Sequence, residues 1–239
     1  MKFVSFLCFL FILISCREGN RKEKAVSDSI SVKKQILSKW DSIFIKAGLV
    51  SIQQLDSSIQ QDIKYSTNDN LMKYDVYGDL DKVYLQKDAA EILVKAQKIL
   101  KSIDSNLSIV IYDAARPLSI QKIMWDTLQM TYSEKIKYVS NPKDGGLHNY
   151  GLAVDVSILD KNGKALDMGT PFDFLGELAS PMHESKYLQT GELKEFQIEN
   201  RKLLRKVMTE AGFSGIKYEW WHFNACTKAR AKEKYKIIE

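Results

Sequence analysis

The sequence predicts an α+β fold, with helices packed on a mainly antiparallel sheet in a single domain. Three observations carry that expectation. Two long segments, from Lys87 and from Glu195, repeat apolar residues at helical spacing. Shorter β-branched or alternating runs, Leu107 to Tyr112, Gly151 to Leu159 and Ile216 to Phe223, read as strands. Helices and strands mix without β-α-β regularity and without an internal repeat, which argues against a parallel sheet. A chain of 239 residues, 45% hydrophobic, can bury one substantial core. Its net charge of +5 is spread among acidic residues, so no nucleic-acid footprint is present.

Lys2 precedes an apolar run from Phe3 to Ile14. That run is shorter than the roughly 20 residues a membrane-spanning helix needs. A basic start followed by a short apolar stretch reads as an export signal. The signal ends in Leu13-Ile14-Ser15-Cys16, which resembles the lipobox of bacterial lipoproteins. The resemblance implies cleavage before Cys16 and lipidation of its thiol; the alternative is an ordinary signal peptide with an incidental cysteine. Residues 17–31 are polar and charged and suit a tether. The expected organisation is a signal over 1–15, a tether and N-terminal helix over 16–48, and one catalytic domain over 49–239. The expected location is extracytoplasmic, with the membrane reached through the lipid anchor. Cys226 is the single cysteine left in the mature body, so no intramolecular disulfide can form.

Between Lys33 and Ala47, apolar residues at Ile36, Leu37, Trp40, Ile43, Phe44 and Ala47 predict an amphipathic helix stopped by Gly48. Asp62-Ile63-Lys64-Tyr65 alternates like a short strand. The stripe Ala89, Ala90, Ile92, Leu93, Ala96, Ile99, Leu100 and Ile103 predicts a core helix, with Asp88 favouring its N-terminus. The buried strand Leu107 to Tyr112 runs into Asp113-Ala114-Ala115-Arg116-Pro117, and Pro117 suits the first turn of a helix from Leu118 to about Met130. Asn162-Gly163 favours a hairpin turn. Phe172 to Leu193 has no clean period and reads as a covering loop with helical pieces. Glu195 to Ala211 is a second strong helix, closed by Gly212.

Chemistry concentrates in two stretches. Gly146 to Asp155 carries His148 and Asp155, and Glu219-Trp220-Trp221-His222 carries another carboxylate and another histidine. The chain has three histidines, and these are two of them. Asp155 lies between Val154 and Val156, and burying its carboxylate without a partner would be costly. Two histidine nitrogens and a carboxylate oxygen suit zinc, with a fourth position left for water. A structural role for each histidine alone is the plainer alternative; the four residues together favour a metal site. Hydrolysis needs a base and a cation for developing negative charge. Glu219 is the candidate base and Arg116 the candidate cation, a structural salt bridge being the other reading of Arg116. One geometric objection stands: in a regular strand Glu219 and His222 would point to opposite faces. His183, in the covering loop, reads as a surface residue.

These two motifs, in this order, resemble the D-alanyl-D-alanine dipeptidase family, zinc peptidases allied to bacterial D,D-carboxypeptidases. The resemblance runs from about Leu49 to Asn224. It implies one Zn2+ per chain held by His148, Asp155 and His222, with Glu219 as catalytic base and Arg116 stabilising the transition state. It also implies that Tyr65 and Asp173 bind the amino end of the substrate; a turn or cap role is the alternative for Asp173. The implied partner is a small peptide, D-alanyl-D-alanine or a close relative from peptidoglycan. A carboxypeptidase acting on longer wall peptides is the nearest rival, and a non-catalytic zinc-containing wall-binding module the next. The family often has serine two residues before the zinc histidine, and here that position is Gly146. A side-chain hydrogen bond is therefore expected to be missing.

Overall fold

A computed structural model describes residues 37–239. The stretches expected to form an export signal and a tether, with Cys16 between them, lie outside the described residues. In chain order the elements are α1 (Lys39–Lys46), β1 (Val50–Ser51), α2 (Ile52–Leu55), β2 (Gln60–Gln61), β3 (Tyr84–Leu85), α3 (Lys87–Ile103), β4 (Ser108–Asp113), α4 (Leu118–Thr127) and α5 (Tyr132–Tyr138). There follow β5 (Ala153–Leu159), α6 (Glu184–Gln189), α7 (Glu195–Ala211), β6 (Ser214–Gly215), β7 (His222–Asn224) and α8 (Lys228–Lys234). The α+β expectation is met. A five-stranded sheet runs in the order β2-β4-β5-β7-β6, antiparallel except where β2 joins β4 in parallel. β1 and β3 form a separate antiparallel pair.

The two strong helices appear where their periodicity put them. α3 buries Ala89, Ala90, Leu93, Ala96 and Leu100, and packs against α7. α7 contributes Ile198, Leu204, Val207, Met208 and Ala211, and Gly212 closes it at φ 128°. The core also takes Trp40 and Phe44 from α1, Trp40 edge-on to Tyr77 and Phe44 stacked on Tyr84. Ser38 and Asp41 form a capping box at the start of α1, and buried Asp41 also accepts from Lys82 Nζ (2.7 Å) and Tyr84 Oη (2.6 Å).

Two local expectations differ from the structure. Asp62 to Tyr65 does not form a strand: pairing stops at Gln61, and Lys64–Ser66 is a 3₁₀ turn whose Tyr65 carbonyl accepts from Val76 and Tyr77. Ile216 to Phe223 is not one strand either. β6 ends at Gly215 and β7 begins at His222, leaving Lys217 to Trp221 as bends. Trp220 sits in that gap with its indole N–H bonded to Thr170 Oγ1 at 2.8 Å. Such a side-chain anchor replaces the ladder bonds a continuous strand would have used.

The sheet register positions the chemistry. Asp155 on β5 stands opposite His222 on β7 and opposite Asp113 on β4. Directly opposed residues place their Cβ atoms about 4.5–5.5 Å apart on one face. A bulge at Tyr112 makes the second pairing: Ile111 faces Val156, and the next paired residue of β4 is Asp113. The extra residue turns Asp113 onto the same face as Asp155.

Candidate metal centre and substrate cavity

His148 reaches this face from a 3₁₀ turn, Leu147–Tyr150, rather than from a strand. Gly151 ends the turn at φ 67°, a left-handed conformation that glycine adopts without strain. A Cβ there would lie 2.9 Å from Leu49 Cδ2 and 3.3 Å from the Gln86 nitrogen. The turn is tied on several sides. Arg116 N–H donates to the His148 carbonyl at 2.9 Å, Asn149 Nδ2 donates to the Arg116 carbonyl at 2.8 Å, and Ile238 N–H donates to the Asn149 carbonyl at 2.8 Å.

Three donor atoms then converge. His222 Nδ1 lies 3.0 Å from Asp155 Oδ1, His148 Nε2 lies 3.4 Å from the same oxygen, and the two nitrogens are 3.2 Å apart. Each histidine has its other nitrogen engaged elsewhere: His148 Nδ1 with the Ala114 carbonyl at 2.6 Å, His222 Nε2 with Asn224 Oδ1 at 2.9 Å. This is how metal-bound imidazoles are oriented, one nitrogen on an outer partner and the other free for the ion. Burial works against the Asp155 charge, but the two histidines outweigh it and hold its carboxyl well below the usual range. Among the described residues this is the one cluster of histidine, cysteine and acidic side chains whose donor atoms gather for a metal ion. The donor set fits a divalent cation.

Glu219 stands beside the triad, its Oε2 3.9 Å from His222 Nδ1. The strand-face objection is resolved by the backbone: β7 begins at His222, and Glu219 lies in the bends before it. Burial raises the Glu219 carboxyl well above the ordinary range, His222 working against that rise and Asp155 adding to it. Arg116 is also buried. Its Nε donates to Asp113 Oδ2 at 2.9 Å, its Nη2 shares that oxygen, and its Nη1 donates to Gln121 Oε1 at 2.9 Å. Nη2 also lies 4.0 Å from Asp155 Oδ2. Burial opposes the guanidinium charge, but Asp113 offsets this and keeps it firmly protonated.

Tyr65 and Asp173 form another wall. The Arg116 guanidinium carbon sits 5.3 Å from the Tyr65 ring centre, and Tyr65 packs edge-on to Phe172. Asp173 Oδ2 accepts the Leu71 N–H at 3.0 Å, and Asp173 adopts φ 60°, a strained value for a residue other than glycine. Removal from bulk water pushes its carboxyl up to about 7, Asp155 adding repulsion, while the Leu71 amide and the Tyr65 hydroxyl pull it back. All seven residues expected at the site, Tyr65, Arg116, His148, Asp155, Asp173, Glu219 and His222, line one cavity of about 490 Å³. His183 is not among its lining residues.

Sequence reasoning missed the residues that support these seven. Asp113 holds Arg116, Gln121 shares it, and Asn224 orients His222. Asp113 was legible in principle, since it precedes Arg116 by three residues at a strand end. Asn224 lies two residues from His222, on the same strand face. At Gly146, a Cβ would lie 2.6 Å from Ser140 Oγ. The hydroxyl of Ser140 therefore occupies the volume that a side chain at position 146 would take.

Comparison with known proteins adds to this geometry. A family model described as Peptidase_M15, D-ala-D-ala dipeptidase, matches residues 45–238. The chain is 33% identical over 175 residues to the D-alanyl-D-alanine dipeptidase of Escherichia coli (strain K12), a span of 73% of this chain and 83% of the relative. It is 26% identical over 191 residues to the D-alanyl-D-alanine dipeptidase of Enterococcus faecalis (strain ATCC 700802 / V583), covering 74% of this chain and 90% of that one. A D-alanyl-D-alanine dipeptidase of Enterococcus faecium is 24% identical, over 75% of this chain and 92% of the relative.

Proposed function

The chain belongs to the D-ala-D-ala dipeptidase family of peptidases, and from that premise we propose that it hydrolyses the D-alanyl-D-alanine dipeptide to free D-alanine. The observation that carries the proposal is the polarity of the cavity. A cation-binding triad, a carboxylate base and a guanidinium share it with a separate acidic wall at Tyr65 and Asp173. A dipeptide carries a free ammonium close to its scissile bond, and the Asp173 carboxylate is a fixed partner for it. A longer peptide offers an uncharged amide at that point, so the same carboxylate works against it.

In this reading His148 Nε2, His222 Nδ1 and an Asp155 oxygen hold zinc. Zinc, when bound, supplies a Lewis acid that polarises the scissile carbonyl and acidifies water. Glu219 accepts the proton of the attacking water as the new carbon–oxygen bond forms. It then returns that proton to the amide nitrogen as the carbon–nitrogen bond breaks. Burial raises the proton affinity of this carboxylate, which favours the first half of that task, taking the proton from water. Arg116, fixed by Asp113 and Gln121, offers positive charge to the oxygen that becomes negative.

The test is hydrolysis of a panel of dipeptides of mixed chirality, and of a wall pentapeptide, with and without chelator. D-Ala-D-Ala is expected to be cleaved best and only without chelator; preference for the pentapeptide would instead establish the carboxypeptidase. Glu219→Gln should lower kcat about 10²- to 10⁴-fold while zinc content by elemental analysis stays unchanged. Undiminished hydrolysis by that variant would remove Glu219 from the mechanism.

The proposed location is outside the cytoplasm, through a lipid on Cys16. Support comes from the first sixteen residues of the sequence alone. Among the described residues no helix is long and apolar enough to cross a membrane. Metabolic labelling with a fatty acid, lost in Cys16→Ala, tests the anchor, and fractionation with the cytoplasm would overturn it. An enzyme so placed meets wall-derived peptides rather than cytoplasmic precursors.

A further inference from the structure

The Ser140 hydroxyl has no hydrogen-bond partner among the described residues, although the Ser140 carbonyl has one: Gln121 Nε2, at 2.8 Å. The residue is exposed and lines the cavity. Three features define its position. Its Oγ stands in the volume above Gly146, where any Cβ would come within 2.6 Å of it, so Ser140 and Gly146 are sterically matched. Its backbone is tied through Gln121 to the Arg116 guanidinium, which fixes the position of the residue relative to the charged centre. And Lys137 and Lys228, which also line the cavity, have no ion-pair partner among the described residues; Lys228 begins α8, which packs against the turn carrying His148. The cavity lining therefore includes a free hydroxyl and two cations without an ion-pair partner among the described residues. The wall of Tyr65, Leu71 and Asp173 carries instead a carboxylate.

From this we propose that Ser140 is a specificity-determining residue that donates its hydroxyl to the substrate's C-terminal carboxylate, a role that Gly146 makes sterically available to it. The inference rests on the dipeptidase reading and deepens it. The zwitterionic dipeptide is held at both ends, its ammonium by Asp173 and its carboxylate by Ser140. A hydrogen bond from a hydroxyl to a charged acceptor is among the stronger ones in proteins.

The test separates binding from turnover. In a Glu219→Gln background, titrations measure the affinity of zinc-loaded full-length protein for D-Ala-D-Ala and for its C-terminal amide, with and without Ser140→Ala. Ser140→Ala is expected to weaken the acid about tenfold, the size of one charge-assisted hydrogen bond, and to leave the amide within about twofold. Equal weakening of both ligands, or of neither, overturns the proposal. The double variant Ser140→Gly with Gly146→Ser, which moves the hydroxyl across the contact, is expected to recover most of the preference for the acid. Recovery absent there would mean that the hydroxyl is not the recognising group. Hydrolysis by the parent enzyme is read separately, so failure of the dipeptidase reading is distinguishable from failure of this role.

Discussion

At the level of single residues, the site works by giving similar groups different surroundings. Asp155, Asp173 and Glu219 are all carboxylates on one cavity. Asp155 is held ionised by two histidines, whereas Asp173 and Glu219 are pushed towards their protonated forms. Divergent environments of this kind mark acid–base assignments. Asp173 gives a prediction in the metal-free protein. Its carboxyl lies at about 7 in the folded state against an ordinary aspartate value of 3.8. The native state therefore binds more protons between those values, and the stability Asp173 contributes is full below 3.8 and lost as pH rises through 7. Asp173→Asn keeps an acceptor for Leu71 and tolerates the φ of 60°. Melting of the two proteins across pH 4 to 8 should show the Asn variant gaining on the parent as pH rises. A difference independent of pH would contradict the folded-state position of that carboxyl.

At the level of elements, turns rather than strands decide most of the site. Gly151 ends the turn that carries His148, and Gly151→Ala forces a left-handed alanine against Leu49. The expected loss is about 1–2 kcal/mol, read by denaturant unfolding, with reduced metal affinity because the turn cannot hold its shape. An unchanged midpoint and affinity would mean that the turn tolerates a side chain. The same contrast explains what could be read in advance. α3 and α7 follow from apolar spacing alone, since a stripe of Ala89, Leu93, Ala96 and Leu100 has one way to bury itself. His148, Asp155, Glu219 and His222 were legible because ionisable groups amid apolar neighbours demand a partner. The break between β6 and β7 was not, because Tyr218, Trp220 and Trp221 have strand-like character while their actual anchors, Thr170 and Phe172, lie about fifty residues away. The bulge that turns Asp113 onto the site was hidden too, since no periodicity records it, although the place of Asp113 three residues before Arg116 was legible.

At the level of the whole molecule, the metal centre joins distant parts of the chain. The turn at 147–150, β5 and β7 meet there, and α4 reaches the same turn through Ile238, whose carbonyl accepts from Leu118 while its N–H donates to Asn149. An ion that binds this assembled set and not the unfolded chain stabilises the fold by mass action, about 2.7 kcal/mol at a hundredfold excess over its Kd. Zinc should therefore raise Tm in a concentration-dependent way, and chelator should reverse the rise. His148→Ala should abolish the response; a response surviving that change would put the ion elsewhere. The bulge at Tyr112 has a different kind of consequence, for chain length. One residue more between Ile111 and Asp113 would put the added residue opposite Asp155 and swing Asp113 off that face, freeing Arg116 from its holder. Around that bulge a single inserted residue separates a working site from a disassembled one, so β4 should not lengthen there wherever the activity persists.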